Sequence, residues 1–217
     1  MMTWQPYFQQ VTFLSAAAQL KQAPTDCGYE VAFAGRSNAG KSSAINVICQ
    51  QRHLARTSKT PGRTQQLIFF NLAVENRRLV DLPGYGFARV ALSIKLQWQT
   101  VMASYLQQRV SLRGLVMVMD CRHPLTELDR QMIEWSQIAA LPLLVLLTKA
   151  DKLSRGAMEK TRLAVQRDPL LFNATTVEVL TFSAHTGQGR DAAQAWLAKQ
   201  LELEMTNNQK PDALLTE

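Results

Sequence analysis

Short, nearly continuous apolar runs recur along the chain, each separated from the next by a stretch with helical spacing. Val31–Ala34, Leu115–Met119, Leu143–Leu147 and Val177–Phe182 read as strands buried on both faces. Ser43–Gln50, Lys95–Val110, Glu127–Ala139, Arg155–Arg167 and Gly189–Glu204 have helical length and periodicity. Two further β-rich runs, Leu67–Ala73 and Arg77–Asp81, are separated only by Val74–Asn76, which predicts an antiparallel hairpin. Alternation of this kind predicts an α/β fold: a six-stranded, mostly parallel sheet with one antiparallel strand and helices on both faces. Ahead of the first buried run, Val11–Leu14 reads as a short extended segment and Ser15–Lys21 as a short helix, ended by Pro24. Residues 1–28 are expected to form an N-terminal extension packed on a domain spanning 29–204. The tail from 205 is polar and expected to be disordered.

The first buried run leads into Gly35–Ser42, spaced G-x-x-x-x-G-K-S, and then into a helix. Strand, glycine-rich loop and helix are the context a phosphate-binding loop requires. Gly35 and Gly40 let successive N–H groups converge on an anion, and the helix N-terminus adds its positive dipole end. Lys41 can reach β- and γ-phosphates, and the Ser42 hydroxyl can bind Mg²⁺.

A phosphate loop alone leaves kinases, ATPases and GTPases open, and three later segments narrow the choice. Asp81–Gly84 (D-x-x-G) ends the hairpin's second strand. If that strand lies beside the phosphate loop, Asp81 reaches the outer sphere of the Mg²⁺ and the Gly84 N–H is aimed at a γ-phosphate; a plain strand-ending turn is the alternative. Thr148–Asp151 (T-K-x-D) follows the buried run 143–147. A carboxylate there can accept from the N1 and N2 donors of guanine, a pair adenine lacks. Lys149 can brace the phosphate loop, while a helix N-cap at Asp151 is the competing reading. Ser183-Ala184 follows the strand ending at Phe182 and offers a backbone N–H to the guanine carbonyl. All four segments stand at C-terminal ends of successive strands, where open α/β sheets bind ligands.

Composition alters this picture in one respect. The net charge of +7 is more than a nucleotide enzyme needs and suits contact with a polyanion. Otherwise the length fits one domain, Leu141–Leu147 is too short to cross a bilayer, and no signal peptide is recognised. Three cysteines without a C-x-x-C pair fit a reducing, cytoplasmic setting. His53, His123 and His185 have no ligand spacing, and Met117, Met119, Trp98, Trp135 and Trp196 fit packing better than base stacking. Gly187–Ala192 loosely matches a dinucleotide fingerprint, but too little chain follows to complete that unit.

With Gly35–Ser43, Ser58–Gln65, Asp81–Gly86, Asp120–Leu125 and Thr148–Asp151 in view, the chain resembles the EngB (YihA/YsxC) family of Era-like bacterial GTPases over roughly residues 10–204. That resemblance implies a Ras-like P-loop GTPase fold, binding of GTP or GDP with Mg²⁺, and a role in assembling the large ribosomal subunit. It also implies a need for the protein in normal cell division and septation. Carried over, the nucleotide site comprises Gly35, Arg36, Ser37, Asn38, Ala39, Gly40, Lys41, Ser42 and Ser43; Gly62, Arg63 and Thr64; Asp81, Leu82, Pro83 and Gly84; Thr148, Lys149, Ala150 and Asp151; and Phe182, Ser183 and Ala184. Ser42 and Thr64 become the Mg²⁺ ligands, with Thr60 competing for the second place. Lys41, Thr64 and Gly84 would stabilise the transition state.

Many Ras-like GTPases place glutamine directly after D-x-x-G to orient water. Tyr85 stands there and cannot do so, which predicts slow intrinsic hydrolysis with the missing group supplied by a partner or an ion. Asn38 occupies the place of a K⁺-coordinating asparagine in potassium-dependent relatives, with a turn-stabilising role as the alternative. Arg52, Arg56, Lys59 and Arg63 lie in a long polar loop, residues 52–66, that could present a basic surface to ribosomal RNA in one nucleotide state. Charges that merely offset bound phosphates are the other reading. A monomer working away from membranes is expected.

Overall fold

The computed structural model describes residues 3–56, 66–86, 92–172 and 176–204, and of residues 92–99 the backbone alone. Strands β1 (Thr12–Ala17), β2 (Tyr29–Gly35), β3 (Leu67–Asn71), β4 (Arg77–Asp81), β5 (Leu112–Asp120), β6 (Leu143–Thr148) and β7 (Val177–Thr181) form one sheet in the order β1-β3-β4-β2-β5-β6-β7. Only β3 runs against the rest, pairing antiparallel with both β1 and β4. The expected six strands are therefore seven. Residues 15–17, expected to begin a helix, belong to β1, and the helical turn shrinks to a 3₁₀ segment at Leu20–Gln22. The alanines there favour a helix intrinsically. The open edge of β3 supplies ladder hydrogen bonds that a short isolated helix cannot match.

Side chains alternate between two cores. Ala32, Ala34, Val80, Leu115, Met117, Val145 and Leu147 face a layer with Met102, Tyr105, Met132, Ile133 and Met158. These come from helices α3 (Leu92–Gln108), α4 (Glu127–Ile138) and α5 (Arg155–Gln166). Val31, Phe33, Leu79, Val116, Val118 and Leu146 face a second layer with Phe8, Ile45, Ile48, Trp196 and Leu197. That layer is built from helices α1 (Gln5–Gln9), α2 (Lys41–Ile48) and α7 (Arg190–Gln200), and a short helix α6 (Pro169–Phe172) precedes β7. Central strands covered on both faces need no polar alternation, which is why they read as unbroken apolar runs. Met117, Met119 and Trp196 are core residues and Trp135 is packed against the core, while the Trp98 side chain lies outside the described residues. Among the described residues no helix is long and apolar enough to cross a membrane. The tail 205–217 lies outside the described residues.

Candidate functional site

The parallel ladder carries β2, β4, β5 and β6 to one edge, where each hands over to a loop. In β2, Phe33 stands opposite Asp81 of β4 and Gly35 opposite Val118 of β5. A Cβ on Gly35 would lie 2.6 Å from the Val118 carbonyl oxygen, so only glycine fits where the chain leaves the sheet. Gly40 caps α2 with φ 99°, a left-handed conformation that turns the loop into the helix. Between them the Ala39 N–H donates to the Arg36 carbonyl at 3.0 Å.

Lys41 opens α2 and its ammonium pairs with the Asp81 carboxylate, both side chains being nearly buried. The cation assigned to phosphates and the carboxylate assigned to the metal side thus meet at one point, beside Ser42 in the first turn of α2. The donors offered to a metal are hard oxygens, as Mg²⁺ prefers. Among the described residues no three His, Cys, Asp or Glu side chains converge, so they supply no all-protein cage. Such a site fits a Mg²⁺ that takes its remaining ligands from phosphate and water.

The T-K-x-D segment braces the loop from the other side. The Thr148 hydroxyl lies within bonding reach of the Ala39 and Met119 carbonyls. Lys149, at φ 59°, donates through Nζ to the Asn38 carbonyl at 2.7 Å and to Asp120 Oδ2 at 2.8 Å. The Arg122 guanidinium grips Asp120 at 2.9 and 2.6 Å, and with Lys149 it holds that carboxyl well below the usual range. Ala150 N–H donates to the Phe182 carbonyl at 3.1 Å, fastening this loop to the next. The buried Ser183 hydroxyl donates to Asp151 Oδ1 at 2.7 Å and, with Lys152, lowers the pKa of Asp151. Asp151 is thereby oriented by a fixed neighbour and kept as an acceptor.

Most of the expected site residues therefore gather at this edge, though not all by their side chains. Leu82 and Pro83 are buried and the Phe182 ring is in the core, so these three can offer only backbone. Gly84 lies against the phosphate loop: a Cβ there would be 3.6 Å from Ser37 N. Ala184 is exposed, as is Asn38, whose φ of 64° suits asparagine in a turn. Gly62, Arg63 and Thr64, with Thr60 and Lys59, lie outside the described residues.

Two features went unassigned in the sequence. Asp120, the anchor of Lys149, is a charge closing an apolar strand, a signal visible in Leu112–Asp120. Asp129 receives the Tyr85 hydroxyl at 2.8 Å. Its only local signal is the capping box it forms with Thr126 at the start of α4.

A family model described as a 50S ribosome-binding GTPase matches residues 30–149. A relative from Enterobacter sp. (strain 638), called a probable GTP-binding protein EngB, is 53% identical over 184 residues, spanning 85% of this chain and 88% of that one. Another of the same description, from Escherichia coli O139:H28, is 49% identical over 205 residues, spanning 93% and 97%. A crystal structure of a probable GTP-binding protein engB superposes with a TM-score of 0.63 at 18% identity, covering 80% of this chain and 98% of that one.

Proposed function

The chain belongs to the EngB family of GTP-binding proteins, a family of P-loop GTPases, and from that premise we propose that it is a slow GTP-hydrolysing switch serving assembly of the large ribosomal subunit. Residues 29–204 would form the nucleotide-binding unit, acting in the cytoplasm as a monomer, with 1–28 packed on it as an extension. Normal cell division and septation would depend on the same switch.

Asp151 would accept the guanine N1 and N2 donors, with the backbone at Ser183-Ala184 meeting the base carbonyl. The loop from Gly35 to Ser43 would enclose the phosphates, and Lys41 would move its charge from Asp81 to them. Ser42 and Thr64 would hold a Mg²⁺ with Asp81 behind, and the ion when bound would neutralise phosphate charge. Gly62 and Arg63 on one side and Pro83 and Gly84 on the other would contact the γ-phosphate. Lys41, Thr64 and Gly84 would supply transition-state stabilisation.

Slow hydrolysis rests above all on the direction of Tyr85. Its side chain is buried and bonded to Asp129 rather than turned to the phosphate edge, so the position used elsewhere to orient water is committed to packing. The missing group would come from the ribosomal particle or from a K⁺ held at Asn38. The exposed Asn38 side chain permits the ion, while its turn conformation and the Lys149 bond to its carbonyl favour the structural role.

Purified protein should turn over GTP slowly, and large-subunit precursor particles should raise the rate. Measured in K⁺ and in Na⁺, equal rates would remove the ion. Stimulation by purified division proteins and not by particles would favour a nucleotide-gated division module instead.

A further inference from the structure

Tyr85 does more than vacate the glutamine's place. Its backbone closes a parallel bridge with Arg36: the Ser37 N–H donates to the Tyr85 carbonyl at 2.8 Å, and the Tyr85 N–H to the Gly35 carbonyl at 3.4 Å. Gly84 is trapped between the end of β4 and this bridge. The side chain runs the other way, into the protein, and its hydroxyl donates to Asp129 Oδ1 at 2.8 Å. Asp129 is 1% exposed, and its Oδ2 accepts from Thr126 N at 2.9 Å and Thr126 Oγ1 at 2.7 Å. Burial, then the Asp129 charge, hold the phenol well above its usual range, so it stays a donor. Arg36 and Asp129 both line one small cleft, about 220 Å³.

We propose that the Tyr85–Asp129 hydrogen bond is a latch that sets Gly84 against the phosphate loop and transmits the presence of a γ-phosphate to the N-terminus of α4. This rests on the reading of the site as a GTP site. One buried carboxylate is divided between two elements: one oxygen serves the loop after Asp81, the other caps α4. Neither can shift alone without stranding a buried polar group, a loss that such sites resist. Gly84 is the residue whose N–H faces the γ-phosphate in that reading, so strain on the latch should act on the GTP state. GDP offers nothing at that point and should be indifferent, because a ligand biases only the states it binds differently. Tyr85 is in these terms a positioning residue.

The test measures equilibrium affinities for GDP and for a non-hydrolysable GTP analogue in the whole protein. Tyr85→Phe keeps the ring and removes only the hydroxyl. It should weaken analogue binding about tenfold, the scale of removing a bond to a charged group, with GDP affinity within about twofold. Asp129→Ala should do the same, and the double variant should be no worse than either alone. Thr126→Val removes the hydroxyl bond of the cap but leaves its backbone N–H bond and the latch, so it should lower thermal stability without separating the two nucleotides. Equal loss of both nucleotides in Tyr85→Phe, or none, would overturn the latch, and that variant with Thr126→Val decides the matter even if Asp129→Ala does not fold. Failure of the wild-type protein to bind either nucleotide would overturn the GTP reading itself, and the latch with it.

Discussion

In the proposed function, recognition of the base would rest on one carboxylate, Asp151, which its neighbours hold in place. Ser183 donates to one of its oxygens, Lys152 stands near the other, and both keep it ionised. Its lowered pKa means that recognition persists as pH falls through the ordinary carboxylate range and fades only on passing the depressed value. Asp151→Asn presents an N–H donor where guanine N2 also donates, whereas xanthine offers a carbonyl acceptor at that place. The variant should exchange preference from guanine to xanthine nucleotides by at least about a hundredfold, read by competition binding. An unchanged preference would undo the assignment of the base. Lys41, Lys149 and Asp151 were legible in the sequence because short spacings fix their places within one loop. Tyr85 was legible only as a departure. Its direction is set by Asp129, on a helix distant in sequence, and no local pattern carries that information.

Among the elements, β2 carries different tasks at its two ends. Its C-terminal end releases the phosphate loop, while its N-terminal end holds Glu30, fully buried. Glu30 Oε1 accepts from Arg78 of β4 at 3.1 Å and from Arg109 at 2.6 Å, and Oε2 accepts from Tyr105 of α3 at 3.0 Å and from Arg109 Nε at 2.9 Å. One carboxylate thus joins two strands and the end of α3, far from the nucleotide edge. Glu30→Gln leaves two buried guanidiniums without that countercharge and should cost about 3 kcal/mol, seen as a lower urea midpoint with unchanged slope. An unaltered midpoint would show that the cluster contributes no net stability. A glutamate opening an apolar strand is visible in the sequence, but its partners are not, since they depend on strand order. The second half of the edge strand β1, residues 15–17, was hidden for a related reason. Thr12–Ala17 lacks a clean alternation, and it becomes a strand only because β3 offers an unpaired edge.

For the molecule as a whole, the α/β alternation was readable throughout because a doubly covered sheet writes itself as apolar runs, and the error in strand number came from β1, an edge strand that is largely exposed. Charge is the remaining property at this scale. The excess of 24 basic over 17 acidic residues is not absorbed by the buried clusters, in which Arg78, Arg109 and Lys41 already have acidic partners. Arg52 and Arg56 are exposed just before the segment that reaches the γ-phosphate in the proposed function, so any RNA contact they make would be tied to nucleotide state. Binding through such groups releases counterions, and its logarithm falls linearly with that of salt concentration, with a slope set by the phosphates neutralised. Sedimentation with large-subunit precursor particles should therefore show stronger binding with a GTP analogue than with GDP, and a steep loss as salt rises. Replacing Arg52 and Arg56 together by alanine should weaken binding and lower that slope by about 1 for each phosphate no longer neutralised. The nucleotide affinity of the isolated protein should not change. Particle binding that is indifferent to salt, or to these two arginines, would place the interaction on another surface and leave the basic excess as a solvated charge.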